Sequence, residues 1–198
     1  FHGFGIRNGS GGLDGYVFLQ QKRKETARQE IVAQDFAFLS PGAGRRLLQF
    51  FADFGTMGDD VVFSCGPSHP ALMLLPRQKY KLEFNYYWMI RIINVAKALS
   101  GRGYSAGLKL DMELDITDAV LPENAGRWTL RVEGGRGEVA RGGSGRLRCD
   151  IRGLAAMYTG HLAPRALALT DLVRGDEADL RAAEAVFGGG SPWMTDFF

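Results

Sequence analysis

The sequence predicts an α+β fold made of two successive parts, each built around its own β-sheet. In the first part, strand-like segments alternate with helical segments, which predicts a mixed sheet with helices. In the second part, three segments with strict polar–apolar alternation are followed by amphipathic helices. That order is typical of an antiparallel sheet covered by helices on one face. The change of character falls near residues 88–103, so we predict domains at residues 1–88 and 89–198.

The first part predicts the element order β-β-α-β-α-β. Ser40 followed by Pro41 begins the first helix, because the serine hydroxyl can cap free N–H groups and proline lacks one where none is needed. Apolar residues then recur at helical spacing up to Gly55, where we predict the helix to end. A charged turn, KRKET, separates the first two strands. The other predicted elements are strands at 15–20, 31–40, 59–65 and 81–93 and a short helix at 69–75.

The second part predicts half-buried antiparallel strands at 108–116, 127–133 and 146–151. Apolar and charged residues alternate along each strand, which places one face on a core and the other in water. The wet face is acidic on the first strand and basic on the other two. We therefore interpret the arginines as sheet partners rather than as a phosphate-binding patch. Helices are predicted at 151–160, 164–172 and 177–187, and the flexible segment GGGS precedes an aromatic end.

The composition excludes several classes of function. The 198 residues include 24 basic and 22 acidic ones and carry a net charge of +2. This balance gives no general reason to expect nucleic acid or a membrane surface as a partner. No apolar run reaches the roughly 18 residues of a membrane-spanning helix, and no secretion leader is recognisable. Cys65 and Cys149 are too few for a disulfide framework. We predict that both are small buried residues and that the protein is cytoplasmic.

Residue spacings typical of metal and nucleotide sites do not occur in the sequence. The histidines stand apart from one another, and His69, which precedes Pro70, is better explained as a helix cap than as a catalytic base. The glycine-rich segment 133–145 joins strands instead of leading into a helix. We therefore predict hairpin turns around Val139 rather than a phosphate cradle. We predict no metal and no cofactor in this chain.

Several segments of the sequence together resemble the bacterial enhanced-intracellular-survival (Eis) family of GNAT N-acetyltransferases. The stretch W-M-x-R-I-x-x-V-x-x-A-L, the segment MYTG and the aromatic, aspartate-containing end form the most specific combination. The likeness keeps its order over nearly the whole chain. The segments that carry it are EIVAQDFAFLSPGAGRRLLQFFADFGTMGDDV, WMIRIINVAKALSGRGY, LPENAGRWTL, LAAMYTGHLAPRALALTDLVRG and SPWMTDFF.

The resemblance implies three domains in the complete protein. Residues 1–88 would be part of a second GNAT-like domain without a cofactor site, and residues 89–198 would be a domain similar to sterol carrier proteins. The N-terminal domain, which binds acetyl-CoA as co-substrate, would be missing. GNAT domains hold acetyl-CoA with an R/Q-x-x-G-x-G/A loop, and the nearest match here, Arg131-x-x-Gly134-x-Arg136, lacks the final small residue. The chain also begins without methionine, so we expect a C-terminal fragment of a homo-oligomeric enzyme.

The same resemblance implies a role for the tail SPWMTDFF. In this family the terminal carboxylate is proposed as the general base, and the matching residue is Phe198. By the same implication, Asp196, Phe197 and Trp193 would bind the amine substrate, which is an aminoglycoside or a lysine-like amine. Two other hypotheses remain open, a sterol-carrier-like lipid-binding module and a non-catalytic oligomerisation scaffold. A simpler view of the tail itself is a last strand packed into the core. We expect the chain on its own to be inactive.

Overall fold

The computed structural model describes residues 1–25 and 28–194 of the chain. These residues form two compact units. The first contains residues 1–85 together with Trp193 and Met194, and the second contains residues 86–192. Each unit has its own β-sheet with helices, which confirms the predicted α+β class.

The first unit is built on a four-stranded mixed sheet in the order β1-β2-β3-β4. Neighbouring strands are antiparallel except for β3 and β4, which run parallel. Strand β1 was not predicted, because its two glycines and its exposed side chains give no apolar alternation. Strand β2 extends through Lys22 and Arg23 into the predicted charged turn. The strands are β1 (His2–Arg7), β2 (Leu13–Arg23), β3 (Gln29–Phe38) and β4 (Gly58–Phe63).

One helix, α1 (Pro41–Ala52), packs on this sheet and begins where the sequence predicts. The Ser40 side chain accepts a hydrogen bond from the Ala43 N–H at 3.1 Å. Leu47 and Phe51 on its buried face meet the apolar sheet residues Val17 and Ile31. A short 3₁₀ turn at 53–56 and a one-turn helix, α2 (Pro70–Met73), complete the unit.

The strand predicted at 81–93 is wrong. Residues 78–92 adopt neither helix nor strand, and apolar side chains such as Leu82 and Met89 are 55% and 96% exposed. An alternating apolar pattern gives a strand only where a neighbouring strand supplies hydrogen bonds and packing, and no described strand pairs with this segment. Ile92, at its end, is buried in the second unit and leads into helix α3 (Val95–Gly101).

The second unit has a five-stranded sheet in the order β7-β6-β5-β8-β9. The predicted alternating strands all form, but the sheet is mixed rather than antiparallel, because β5 and β8 run parallel. Parallel pairing arises because the chain makes the hairpin β6–β7 and then crosses back to the free side of β5. The strands are β5 (Leu110–Thr117), β6 (Gly126–Glu133), β7 (Arg136–Arg141), β8 (Leu147–Asp150) and β9 (Val173–Arg174).

Helices pack on the apolar side of this sheet. Leu114 and Leu130 from the strands and Leu154 and Met157 from α4 are fully buried in one continuous cluster. The opposite face carries the predicted charge pairs, with Arg131 near Asp111 at 3.7 Å among them. The helices of this unit, besides α3, are α4 (Ile151–Thr159), α5 (Pro164–Ala168) and α6 (Glu177–Phe187). In the described residues, no helix has the length and apolarity needed to cross a membrane.

Candidate functional site

The chain end returns to the first unit at Trp193. A β-carbon on Gly66 would lie 2.9 Å from Cγ and Cδ1 of the Trp193 indole, so the bare backbone at Gly66 forms the seat of this ring. The indole also meets the His69 imidazole edge-to-face, with ring centroids 6.1 Å apart. We call Gly66 and His69, which together hold the indole of Trp193, the tail seat. Of the four predicted tail residues, the structure describes Trp193, in the first unit.

His69 is the central side chain of the tail seat. Its Nδ1 accepts a hydrogen bond from the Ala71 N–H at 3.2 Å, and Pro70 follows it at the start of α2, which confirms the prediction of a helix cap. The rings of Phe36 and Phe63 lie 5.1 and 6.0 Å from the imidazole. Burial among these rings lowers the pKa of His69, so the neutral form needed to accept the Ala71 hydrogen bond is favoured at neutral pH.

The three other predicted tail residues, Asp196, Phe197 and Phe198, lie outside the described residues. The last described residue, Met194, belongs to the first unit. The alternative view of the tail, a final strand in the core, is not found up to Met194, because residues 188–194 form no strand and Trp193 is 51% exposed.

A sequence feature that the predictions missed lies at the junction of β3 and α1. The segment Leu39-Ser40-Pro41-Gly42-Ala43-Gly44 has the G-x-G spacing of an acetyl-CoA loop and joins a strand to a helix, as such a loop must. Its first position holds leucine instead of arginine or glutamine. That departure from the R/Q-x-x-G-x-G/A pattern hides the likeness in the sequence, although the strand before Ser40 and the helix after it were both predicted.

This junction does not fit a bound phosphate group. The Ser40 hydroxyl, which caps the helix, donates a hydrogen bond to the Asp14 carboxylate at 2.5 Å. Pro41 removes one N–H group from the first turn. A β-carbon on Gly44 would lie 2.4 Å from the Leu74 side chain, so the second glycine serves close packing. A protein carboxylate therefore lies beside the positive end of α1, bound to the capping hydroxyl, and a pyrophosphate would meet its negative charge.

The nearest sequence match to an acetyl-CoA loop, residues 131–136, forms the β6–β7 hairpin. Gly134 and Gly135 have positive φ angles of 56° and 79° and make the turn, as predicted. The rest of the glycine-rich segment was predicted as a second hairpin turn and instead crosses the polar face of the sheet. β-carbons added to Gly143 and Gly145 would lie 2.8 Å from side-chain atoms of Thr129 and Asp115. Ser144 donates hydrogen bonds to Glu113.

The motif W-M-x-R and the segment LPENAGRW, both of which carry the family resemblance, meet in a buried polar network. Arg91 Nη2 donates to both carboxylate oxygens of Asp118, at 2.6 and 2.7 Å. Asn124, 1% exposed, donates to Asp118 and to the Ile92 carbonyl and accepts from the Val95 N–H. We call Arg91, Asp118 and Asn124 the Asp118 network. The network connects the start of α3 to the loop before β6. All of its hydrogen bonds join one part of the protein to another.

The Asp118 carboxyl group stays ionised in this network. Burial by itself would raise its pKa, but hydrogen bonds from the Leu121 N–H, Arg91, Asn124 and the Val120 N–H outweigh burial, and the pKa lies well below its usual range. A carboxylate with all its acceptor positions engaged cannot act as a general base. We therefore assign Asp118 a structural role.

Arg102, in the segment WMIRIINVAKALSGRGY, binds the C-terminal ends of two helices. Its guanidinium donates to the carbonyls of Tyr158, Val186 and Phe187 at 3.0–3.2 Å, at the C-termini of α4 and α6. It also lies 5.3–5.9 Å from the ring centroids of Tyr104, Tyr158 and Phe187. A cation at helix C-termini satisfies free carbonyls and the negative end of the helix dipole. The MYTG motif thus contributes to packing through Tyr158.

A lipid-binding role would require a cavity between the sheet and the helices of the second unit. Its strands and helices share one apolar cluster whose central side chains have no exposure to solvent. A cleft of about 250 Å³ at its surface, lined by Leu162, Pro164 and Phe187 among others, is smaller than the roughly 300 Å³ at which ligand sites begin. Within residues 1–25 and 28–194, no three histidine, cysteine or acidic side chains are grouped closely enough for a metal ion.

Two family models match the chain, one in each half. Residues 95–195 match the family model described as sterol carrier protein domain, and residues 2–92 match the model described as acetyltransferase (GNAT) domain. An uncharacterized N-acetyltransferase of Streptomyces coelicolor is 34% identical over 116 residues, which are 55% of this chain and 27% of that protein.

Solved structures extend the likeness over nearly the whole chain. A GCN5-related N-acetyltransferase from Anabaena variabilis shares 36% identity, with a TM-score of 0.89 over 94% of this chain and 48% of that one. An Eis protein from Mycobacterium abscessus, at 22% identity, shares the fold, with a TM-score of 0.74 over 93% of this chain and 48% of the other. The chain thus spans about half the length of these structures.

Proposed function

Because the chain belongs to the sterol carrier protein domain family through residues 95–195 and carries a GNAT acetyltransferase domain match over residues 2–92, we propose that it works as part of an acetyl-CoA-dependent N-acetyltransferase. The substrate is an amine, aminoglycoside-like or lysine-like. This chain provides a GNAT-like unit, a sterol-carrier-like unit and the tail, whose terminal carboxylate at Phe198 is the general base. A separate GNAT domain holds acetyl-CoA.

The observation that carries this proposal is the seating of Trp193 on the GNAT-like unit. The indole lies over Gly66 and against His69, which holds Trp193 in the first unit. Phe198 is five residues further along the chain. An extended chain of that length reaches about 17–18 Å, enough to carry the terminal carboxylate from the seat to a neighbouring site.

The chemistry requires a group that removes a proton from the substrate. An amine is largely an ammonium ion at neutral pH and must lose a proton before its nitrogen attacks the thioester carbonyl. A carboxylate attracts the cation and accepts that proton, directly or through a water molecule. Free α-carboxyl groups titrate at about 3.3–3.7, so a carboxylate is a stronger base where its surroundings raise that pKa. Asp196 adds negative potential for a polycationic amine.

Neither of the two glycine-rich segments described above fits acetyl-CoA. The strand-to-helix junction that corresponds to a cofactor loop is closed by Asp14, Pro41 and Leu74. The other glycine-rich segment forms a hairpin and a crossover with no helix behind it. Thioester binding therefore falls to the separate domain, and we expect the 198-residue chain alone to show no acetyl transfer.

The test uses the complete open reading frame that contains this chain. We expect that frame to encode an R/Q-x-x-G-x-G/A loop and its product to acetylate an aminoglycoside or a blocked lysine. One glycine appended after Phe198 moves the carboxylate by about 3.3–3.6 Å and should lower kcat about 100-fold. A glycine inserted after Gly9, in an exposed turn of the first unit, is the matched control. Equal rates for the appended enzyme and the control would reject the role of the tail.

A sterol-carrier-like lipid-binding role is the alternative that the family match favours. The continuous apolar cluster of the second unit weighs against it, because a sterol would have to find a cavity within side chains that pack on one another. Binding of a fluorescent sterol to the purified chain, saturable and with one site, would support the alternative over acetyl transfer.

A further inference from the structure

A cleft of about 460 Å³ lies in the first unit between the edge strand β1 and helix α1. Its size falls within the range of small-molecule sites, which is roughly 300–1,000 Å³. Val17 and Leu47, both 1% exposed, form its floor, and the rings of Phe4 and Phe50 form an aromatic wall with centroids 4.8 Å apart. Nothing in the proposed acetyl transfer uses this cleft.

Two arginines provide all the charge among the residues that line the cleft. Arg46 extends from α1, and its guanidinium is held loosely, 3.8 Å from an exposed Asp53 carboxylate. Arg7 extends from the end of β1 and donates one hydrogen bond to the Gly11 carbonyl, which leaves other N–H groups of its guanidinium for a ligand. Arginine forks match carboxylates in shape and charge.

The apolar part of the cleft favours an aromatic group on a ligand whose carboxylate binds the two arginines. The Phe4 side chain is 43% exposed although it lies against Phe50, so one face of the aromatic wall is available to a ligand. Aromatic groups stack on such a wall in offset or edge-on geometry. The floor of the cleft contributes apolar contact and no polar side chain.

We propose that this cleft binds a small aromatic carboxylic acid, with its ring against Phe4 and Phe50 and its carboxylate on Arg7 and Arg46. The combination of an aromatic wall, an apolar floor and two cationic side chains at one cleft fits an anionic aromatic ligand. A neutral aromatic molecule would offer the two arginines no negative charge, and an inorganic anion would leave the aromatic wall exposed. The proposal is independent of the acetyltransferase role.

The experiment titrates the 198-residue chain with 2-naphthylacetate and follows backbone amide shifts by NMR. We expect saturable shifts confined to β1 and α1. Arg46→Gln should weaken binding about fivefold, the size of one exposed charge-assisted contact. Arg45→Gln removes the same charge from the neighbouring, exposed position that does not line the cleft, and should leave the affinity unchanged. Both substitutions are on the surface, so the fold is retained.

A neutral analogue of the same shape, 2-(2-naphthyl)ethanol, separates charge recognition from apolar contact. We expect it to bind at least about fivefold more weakly than the acid. Equal affinity for acid and alcohol, or equal loss in Arg46→Gln and Arg45→Gln, would overturn the proposal. Absence of saturable shifts up to about 5 mM acid, or shifts centred on the second unit, would overturn it as well.

Discussion

Trp193 lies so close to Gly66 that a β-carbon on the glycine would come within 2.9 Å of the indole. Contacts that short are not tolerated, so one of the two groups must move. We predict that Gly66→Ala displaces Trp193 from the tail seat while the fold of the first unit is kept. The measurement is ¹⁹F NMR on protein labelled with 5-fluorotryptophan, in which the Trp193 signal should move toward its position in unfolded protein.

The matched control for this substitution is Gly55→Ala. Gly55 has no heavy atom within 4 Å of an added β-carbon, so the same chemical change should leave the Trp193 signal in place. If Gly66→Ala and Gly55→Ala gave the same spectrum, the indole would not be seated on Gly66, and the observation behind the proposed function would be lost.

The ionisation of His69 should depend on the tail. Burial lowers the pKa of His69, and the indole of Trp193 is one of the rings that surround it. We predict that Trp193→Ala raises the pKa of His69 toward 6.5, its ordinary value. The measurement is an NMR titration of the His69 ring protons, with His2 as internal reference. An unchanged His69 pKa in Trp193→Ala would show that the indole does not shield the imidazole.

The same pKa shift makes stability depend on pH. Since the folded-state pKa of His69 lies below the unfolded value of about 6.5, the unfolded chain binds more protons between the two values. The free energy of unfolding should therefore fall as the pH drops below about 6.5. His69→Asn retains a capping side chain without a titrating group and should flatten this part of the pH profile.

Asp118 should control stability at acidic pH. Its folded-state pKa is depressed, so its contribution to stability is complete above the unfolded value of about 3.9 and is lost as the pH falls below it. We predict that Asp118→Asn lowers the melting temperature at pH 7 and weakens its further fall between pH 5 and pH 2. The check is a series of thermal melts followed by circular dichroism. A parallel fall in both proteins would contradict the prediction.

Arg102 should stabilise the second unit through its fork geometry as well as its charge. Arg102→Lys keeps the charge but cannot donate to three carbonyls at two helix ends at once. We predict a loss of about 2 kcal/mol in the free energy of unfolding, the size of hydrogen bonds to a charged group. Arg136→Lys, on an exposed strand position, is the control and should change stability by less than about 0.5 kcal/mol. Urea denaturation measures both.

The two cysteines should differ in reactivity. Burial, with added repulsion from Asp150 and Asp115, raises the pKa of Cys149 to about 12, whereas Cys65 is partly exposed. Since the thiolate is the reactive form, a disulfide reagent at pH 8 should label Cys65 and spare Cys149 in the folded protein. Cys65→Ser should abolish labelling until denaturant is added. Rapid labelling of folded Cys65→Ser would show that the core around Cys149 opens.

Local sequence signals predicted most of the regular elements correctly. The Ser40–Pro41 start of α1, the His69 cap and the alternating strands β5, β6 and β8 depend on residues close together in the chain, and all of them form. The same holds for the turn at Gly134 and Gly135, where positive φ angles require glycine. Pairings between segments that are far apart in the sequence were predicted less well. The parallel pairing of β5 with β8 depends on a crossover that alternation alone does not specify.

The candidate site also combines residues that the sequence indicated with contacts that only the structure shows. The sequence drew attention to Trp193 and to the W-M-x-R motif, but it did not show that Trp193 rests on Gly66 or that Arg91 binds Asp118. It also missed the Leu39–Gly44 junction, because a leucine replaces the expected basic or amide residue. The roles of Asp196, Phe197 and Phe198 stay predictions.

By itself, the sequence determined which residues favour helix, strand or turn and which faces are apolar, because those preferences come from side-chain chemistry and short-range spacing. The tertiary structure decided which of these preferences were realised and which residues became partners. Residues 81–93 have the pattern of a strand and form none, since no described strand pairs with them. Asp14 closes the end of α1 and Gly66 seats Trp193 because folding brings together residues that are far apart in the chain.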